Sequence, residues 1–224
     1  MIRFFDLLFS IMALLLLLPF LVPISLILKL TGEGEIFFLQ NRIGKEGKEF
    51  KLYKFATMLK NSPSIGTGTV TMKDDPRILK VGKFLRKTKI NELPQLINIL
   101  LGDMSIVGPR PLTFETFRSY STNTQEVIKR VRPGLSGIGS IIFRNEEEIM
   151  QGASASINYY QNTIAPYKGL LEEWFVENKS LNVYFISIFL TIWAVIFPKT
   201  QIAWMIFKDL PVPPKTLSEK INYP

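Results

Sequence analysis

Among its 224 residues the chain has no cysteine and no histidine. Disulfides are therefore impossible, which suits a reducing compartment. Thiolate nucleophiles, imidazole bases and Cys/His zinc sites are excluded as well. Carboxylates, Lys, Arg, Tyr, hydroxyls and any hard cation held by oxygen ligands remain for chemistry. That palette suits phosphoryl transfer, where positioning and charge neutralisation dominate. Acidic side chains are the minority, 19 against 27 Lys and Arg, leaving a net charge of +8. The excess favours an anionic partner such as a membrane surface, a phosphorylated substrate or nucleic acid. No recognition helix carries a run of base-reading side chains, so nucleic acid is not expected.

Charge is almost missing from residues 4–28, which are nearly all apolar. A run this long is a membrane-helix candidate. A cleaved signal peptide fits poorly, because Pro19 and Pro23 interrupt the run and no A-x-A-like site follows. Each proline removes a backbone donor, so a bend is expected over residues 20–25. Arg3 precedes the run, and Lys29, Arg42, Lys45, Lys48, Lys51 and Lys54 follow it. Positive residues favour the cytoplasm, which predicts a cytoplasmic main domain. Arg3 and Asp6 would avoid translocation if both helix ends stayed on that side, so re-entry is preferred to a simple span.

Residues 36–39 and 50–58 read as two strands of a hairpin joined by a glycine-bearing turn. Residues 60–75 form a polar loop placed to act as a lid. Helices are expected over 92–101, 115–130 and 158–178. Apolar runs at 183–197 and 202–207 carry Trp193 and Trp204, flanked by Lys199 and Lys208. Interfacial helices and ordinary core packing both explain them. Residues 211–224 are expected to be a tail without rigid structure. The fold class is therefore α+β and mostly helical, with a small hairpin. The expected organisation is a re-entrant membrane helix at 1–30, a catalytic domain at 31–180, interfacial helices at 181–210 and a tail at 211–224.

The most informative stretch runs from Arg86 to Pro111, RKTKINELPQLINILLGDMSIVGPRP. Asn91 reads as a helix N-cap, Glu92 as a first-turn acid, and Pro94 falls where a missing N–H is harmless. Leu93, Leu96, Ile97, Leu100 and Leu101 share one face, and Gly102 can end the helix in a left-handed conformation. A carboxylate at a helix N-terminus, where phosphate also binds, calls for a cation between them. Mg²⁺ held by Glu92 and substrate phosphates meets that need, with Arg86, Lys87 and Arg110 supplying further charge. A capped amphipathic helix with solvated charges explains the same residues.

This stretch resembles the bacterial sugar transferase family, the monotopic polyprenol-phosphate phosphoglycosyl transferases. The similarity continues through IFFLQNRIG at 36–44, Phe50 with KFATM at 54–58, and RVRPGLSG at 130–137, so that it covers about residues 2–196 in order. The resemblance implies a re-entrant helix, interfacial helices and a small cytosolic domain at the cytoplasmic face of the bacterial inner membrane. It also implies Mg²⁺, a UDP-sugar donor and undecaprenyl phosphate as acceptor. In the family the Asp of an Asp-Glu dyad attacks the sugar diphosphate, releases UMP and holds a phosphosugar that the lipid phosphate then takes. The dyad's Glu accompanies the metal. Here those positions are Asn91 and Glu92.

A carboxamide cannot simply replace a carboxylate nucleophile. Four readings follow: Glu92 attacks instead, donor and lipid phosphate react directly, the chain is a silent relative that only binds, or the Asn replaces a natural Asp. Ala56 also departs from the family, which usually has Arg there. Carried over by position, the candidates are Asn91 and Glu92 for catalysis, Glu92 for the metal, and Lys54, Arg86, Arg110 and Arg132 for phosphate or substrate. Asp103 is a possible supporting acceptor, and residues 143–160 are expected to shape donor choice.

Overall fold

The computed structural model describes residues 1–31, 33–64, 75–150, 157–197 and 201–224. The expected lid lies mostly outside them. Helix α1, Ile2–Leu30, continues through Pro19 and Pro23. At about 1.5 Å per residue its 29 residues would reach about 43 Å, more than a bilayer core needs. One face of it touches protein along the whole length. Near its start, Arg3 donates to the carbonyls of Leu100 and Met104. Asp6 is buried and accepts from Ser105 Oγ, the Ile106 N–H and Tyr184 Oη, each at 2.9 Å. Mid-helix, Ala13, Leu14 and Leu17 cover a small core of Leu52, Leu96, Ile99 and Met104. Near its end, Leu28 is buried with Phe55 and Leu85, and Leu21 and Ile24 pack beside them. The opposite face leaves Phe4, Leu15, Leu16, Phe20, Leu26 and Leu30 exposed. An apolar stripe of this length on a monomer's surface marks an interaction site for lipid or protein.

The hairpin pairs β1 (Phe37–Ile43) with β2 (Glu49–Phe55), from Phe37 opposite Phe55 to Ile43 opposite Glu49. Its turn needs Glu46 and Gly47 at positive φ. The second strand is shorter than expected. After α2 (Lys80–Lys87) and a 3₁₀ turn at Ile90–Glu92 comes α3 (Gln95–Leu101), closed by Gly102 at φ 96° as expected. Asn98 locks α3 to the hairpin, accepting from the Tyr53 N–H and donating to the Lys51 carbonyl. Asp103 accepts a further bond from Asn98.

A parallel pair, β3 (Ser105–Val107) and β4 (Gly134–Ser136), was not anticipated. Strands of three residues carry too little alternation to read. The helix expected over 115–130 is two, α4 (Phe114–Arg118) and α5 (Thr122–Ile128). The break comes where Ser121 caps the second helix by accepting from the Thr124 N–H.

The main core gathers α6 (Ile138–Ile142), α7 (Glu146–Ile149) and the helical stretch of α8 (Ile157–Tyr159), a π turn (Tyr160–Ile164) and α9 (Ala165–Glu177). It is completed by α10 (Leu181–Ile196), α11 (Ile202–Ile206) and α12 (Lys215–Ser218). Helix α10 has one face in the core and one outside it. Tyr184, Ser187, Leu190 and Ala194 are buried, whereas Phe189, Ile192, Val195 and Ile196 are exposed.

The last residues correct the expectation of a loose tail. Leu217 and Ile221 are buried in the main core, and Tyr223 meets Trp204 edge to face. Apolar residues spaced to cover that core supply the burial that the prolines before them concealed.

Candidate active site

Four elements bring the charged side chains together. Strand β2 carries Lys54, strand β1 carries Arg42, the 3₁₀ turn carries Asn91 and Glu92, and the segment after β3 carries Arg110. Lys54 Nζ lies 3.0 Å from Glu92 Oε1, and Arg110 Nη2 lies 3.7 Å from the same oxygen. Glu92 Oε2 has no protein partner among the described residues. The Lys54 and Glu92 side chains are each 18% exposed and Arg110 is 38% exposed, so the guanidinium is the group offered to solvent.

Burial alone would raise the Glu92 carboxyl, but Lys54, Arg110 and Lys89 outweigh it and hold the group well below the usual range. Lys54 moves the other way. Burial lowers it to about 8, assisted by the neighbouring Arg110 and Arg42 and only partly resisted by Glu92. Arg42 is lowered to about 10 by burial and by Arg110. The site thus carries more positive than negative charge in a poorly solvated place, an arrangement suited to an anion.

Glu92 does not sit in the first turn of a helix. Helix α3 starts at Gln95, behind Pro94, and has seven residues. The positive field comes from the side chains of Lys54, Arg110 and Arg42. Asn91 is not an N-cap either. It is buried in the 3₁₀ turn, after Lys89 in the left-handed conformation, and its Oδ1 has no hydrogen-bond partner. An orphaned buried acceptor is rare in a folded protein and marks a place where another group belongs.

The remaining candidates lie elsewhere. Arg132 donates from Nε to the Gly102 carbonyl at 2.6 Å. It joins Arg3 at the C-terminal end of α3, where cations complement the free carbonyls. No direct contact ties Arg86 to Glu92; its guanidinium lies 3.8 Å from Met58 Sδ. Ala56 is buried just beyond β2.

Sequence reading missed a buried polar group behind Arg110. Glu172 and Lys168, one turn apart on α9, are each 1% exposed. Lys168 Nζ lies 2.5 Å from Glu146 Oε2, and Glu172 Oε1 accepts the Arg110 N–H at 3.3 Å. Tyr120 and Tyr160 are buried beside them, and burial raises both phenols. The one available signal was the i, i+4 spacing of Lys168 and Glu172 on an otherwise apolar helix face.

Cluster and apolar helix share one small core. Ile90, directly before Asn91, packs against the buried group of Leu28 from α1, Phe55 and Leu85, which Leu21 and Ile24 of α1 also cover. The charged site therefore adjoins a core that α1 helps to build.

Residues 1–198 match the family described as bacterial sugar transferase. The chain belongs to that family. Among its relatives, the exopolysaccharide production protein ExoY of Sinorhizobium fredii is 37% identical over 174 residues, 71% of this chain and 76% of that protein. The UDP-glucose:undecaprenyl-phosphate glucose-1-phosphate transferase of Klebsiella pneumoniae is 37% identical over 162 residues, 70% of this chain but 34% of that larger protein. The UDP-N-acetylgalactosamine-undecaprenyl-phosphate N-acetylgalactosaminephosphotransferase of Aeromonas hydrophila is 37% identical over 142 residues, 62% of this chain and 33% of that protein. The chain thus spans about three quarters of the first relative and about a third of the other two. The name of the first carries exopolysaccharide production, and the names of the other two carry a UDP-sugar donor and undecaprenyl phosphate.

Proposed function

We propose that the chain is a phosphoglycosyl transferase that moves a sugar-1-phosphate from a UDP-sugar to undecaprenyl phosphate at the cytoplasmic face of the inner membrane, as a first step of polysaccharide or glycan assembly. The carrying observation is the Glu92 carboxylate between Lys54 and Arg110, on a turn whose Ile90 packs into the small core that Leu28 of the exposed apolar helix helps to form. A donor with a diphosphate and an acceptor with a lipid tail would both be served at such a junction.

The contacts of α1 support both of its ends staying on one side of the membrane. Both ends grip one body, at Asp6 and at Leu28, while the outward face stays apolar. A straight crossing would carry one end about 43 Å away from the other along the membrane normal. A helix lying on the domain instead dips its outer face into one leaflet.

Magnesium fits the donor set. Glu92 Oε1 is taken by both cations while Oε2 has no partner among the described residues, and Asn91, the residue before it in the chain, has an orphaned Oδ1. One or two protein oxygens are what this ion uses when it arrives with phosphates. Among the described residues no three acidic, His or Cys side chains converge to hold it unaided. Bound there, it would neutralise charge on the diphosphate. Lys54 and Arg110 would hold the phosphate oxygens, and burial would exclude water from their surroundings.

The test is release of UMP by the purified chain in lipid particles containing undecaprenyl phosphate, across a panel of UDP-sugars with Mg²⁺. Turnover supports the transferase. Silence of the chain, with turnover by its Asn91→Asp variant, would support a relative that binds without reacting, a reading favoured by the carboxamide at the family's nucleophile position.

A further inference from the structure

The segment from Gly108 to Pro111 is tied down at both of its backbone N–H groups and at the Pro109 and Pro111 carbonyls. Gly108 N–H donates to the Ser136 carbonyl at 2.9 Å, and the Pro109 carbonyl accepts from the Gly134 N–H at 2.8 Å. The Pro111 carbonyl accepts from Arg42 Nη1 at 3.0 Å. Pro109 and Pro111 have no N–H to place, so Arg110 owns the one backbone donor between Gly108 and Leu112. The parallel ladder ends at Val107 opposite Ser136, and no strand receives that donor. Glu172 does, through Oε1. The carboxylate is closely confined: a Cβ on Gly139 would lie 2.5 Å from Oε1 and 3.0 Å from the carboxyl carbon. Its other oxygen, Oε2, is buried without a partner.

We propose that Glu172 is a positioning residue for Arg110: its buried carboxylate takes the single N–H of the Pro-Arg-Pro segment and so aims the guanidinium at Glu92 and the donor's diphosphate. The inference rests on the donor reading proposed above. Glu172 touches no substrate; it acts by fixing the backbone from which Arg110 reaches. Without it the Arg110 N–H would be buried and unpaired, and the segment would turn to find a partner. The groups facing Glu172 are Arg110 from the loop, Lys168 from its own helix, Glu146 from α7, Tyr120 from the segment before α5, and Tyr160 from the π turn. Burial raises Glu172 to about 7, with Lys168 and Arg110 pulling the other way. Its ionised form, the better acceptor, therefore gains ground as pH rises through neutrality.

The experiment is calorimetric binding of UDP with Mg²⁺ to the full chain in lipid particles, from about pH 6 to about pH 8, for the unmodified chain and for Glu172→Gln, Glu172→Ala, Arg110→Ala and Glu172→Ala with Arg110→Ala. Glu172→Ala should weaken UDP by about tenfold, the usual size of a lost hydrogen bond to a charged group. The double variant should be no weaker than Arg110→Ala alone, because the two residues act through one contact. Glu172→Gln keeps an oxygen acceptor and should recover most of the affinity, while losing the gain with rising pH that the unmodified chain shows near 7. Should Glu172→Ala not fold, the Gln comparison decides. Additive losses in the double variant, or a Gln variant with an unchanged pH profile, would overturn the proposal. A chain that binds no UDP fails at the donor reading itself; one that binds UDP independently of Glu172 fails only here.

Discussion

Glu92 and Glu172 both meet Arg110, the partly exposed Glu92 at its guanidinium and the buried Glu172 at its backbone N–H. The same carboxyl group is driven in opposite directions. Glu92 has Lys54 at 3.0 Å and Arg110 at 3.7 Å and stays ionised well below the usual range. Glu172 has one backbone N–H at 3.3 Å and is pushed by burial to about 7. Charge partners, more than depth, separate them. The front carboxylate is fixed in charge and free in one oxygen, as suits a ligand. The rear one is pushed up to about 7 by burial and is closely confined by Gly139, as suits a prop.

The sharpest way to break this comparison is Glu92→Gln. It leaves Lys54 and Arg110 facing each other without their shared anion, and UMP release should fall by about a thousandfold, within the range for removing a charged group at a reacting centre. Retention of activity would move the chemistry elsewhere. Lys54→Met should have the next largest effect, raising the donor KM by roughly tenfold while Arg110 and Arg42 remain. A pH series on the unmodified chain follows. Lys54 loses its proton near 8 rather than in the ordinary lysine range, so donor affinity should decline several-fold as pH rises through 8, measured as KM. The unfolded chain holds that proton to higher pH, so this group's contribution to folding stability rises over the same window.

One further effect is read in stability rather than in activity. Glu172 folded at about 7 lies above its ordinary value of 4.5, so its contribution to stability is full below the ordinary value and is lost as pH rises through 7. Denaturant unfolding of Glu172→Gln should lack that decline, a difference on the order of 3 kcal/mol by the conversion of one pKa step to energy. A Glu172→Gln curve parallel to the unmodified one would remove the distinction between the two carboxylates.

Much of this arrangement could be read in advance. The apolar run, the hairpin, the turn at Gly102 and the grouping of Glu92 with Lys54 and Arg110 follow from spacing and from motif resemblance. Three features did not. Arg132 looked like a phosphate ligand because it is cationic and follows a motif, yet it faces the carbonyl of Gly102. Which carbonyl an arginine meets depends on tertiary packing, not on its neighbours in the chain. Asn91 has the composition of an N-cap, but Pro94 delays the helix and leaves Asn91 in a tighter turn. Glu172 was hidden because a buried carboxylate on an apolar helix is identified only by the distant donor it meets, 62 residues away.

Helix α1 also sets a limit on how this protein can be prepared. Ala13, Leu14 and Leu17 are the lid of one small core, and Leu21, Ile24 and Leu28 complete another beside the Lys54 strand. Trimming the greasy segment to obtain a water-soluble fragment would uncover both, together with the hydrogen-bonding groups that Asp6 satisfies at Ser105, Ile106 and Tyr184. The apolar helix and the rest of the domain are one folding unit, so solubility is better sought by repainting the outward stripe at Leu15, Leu16 and Phe20 than by deletion.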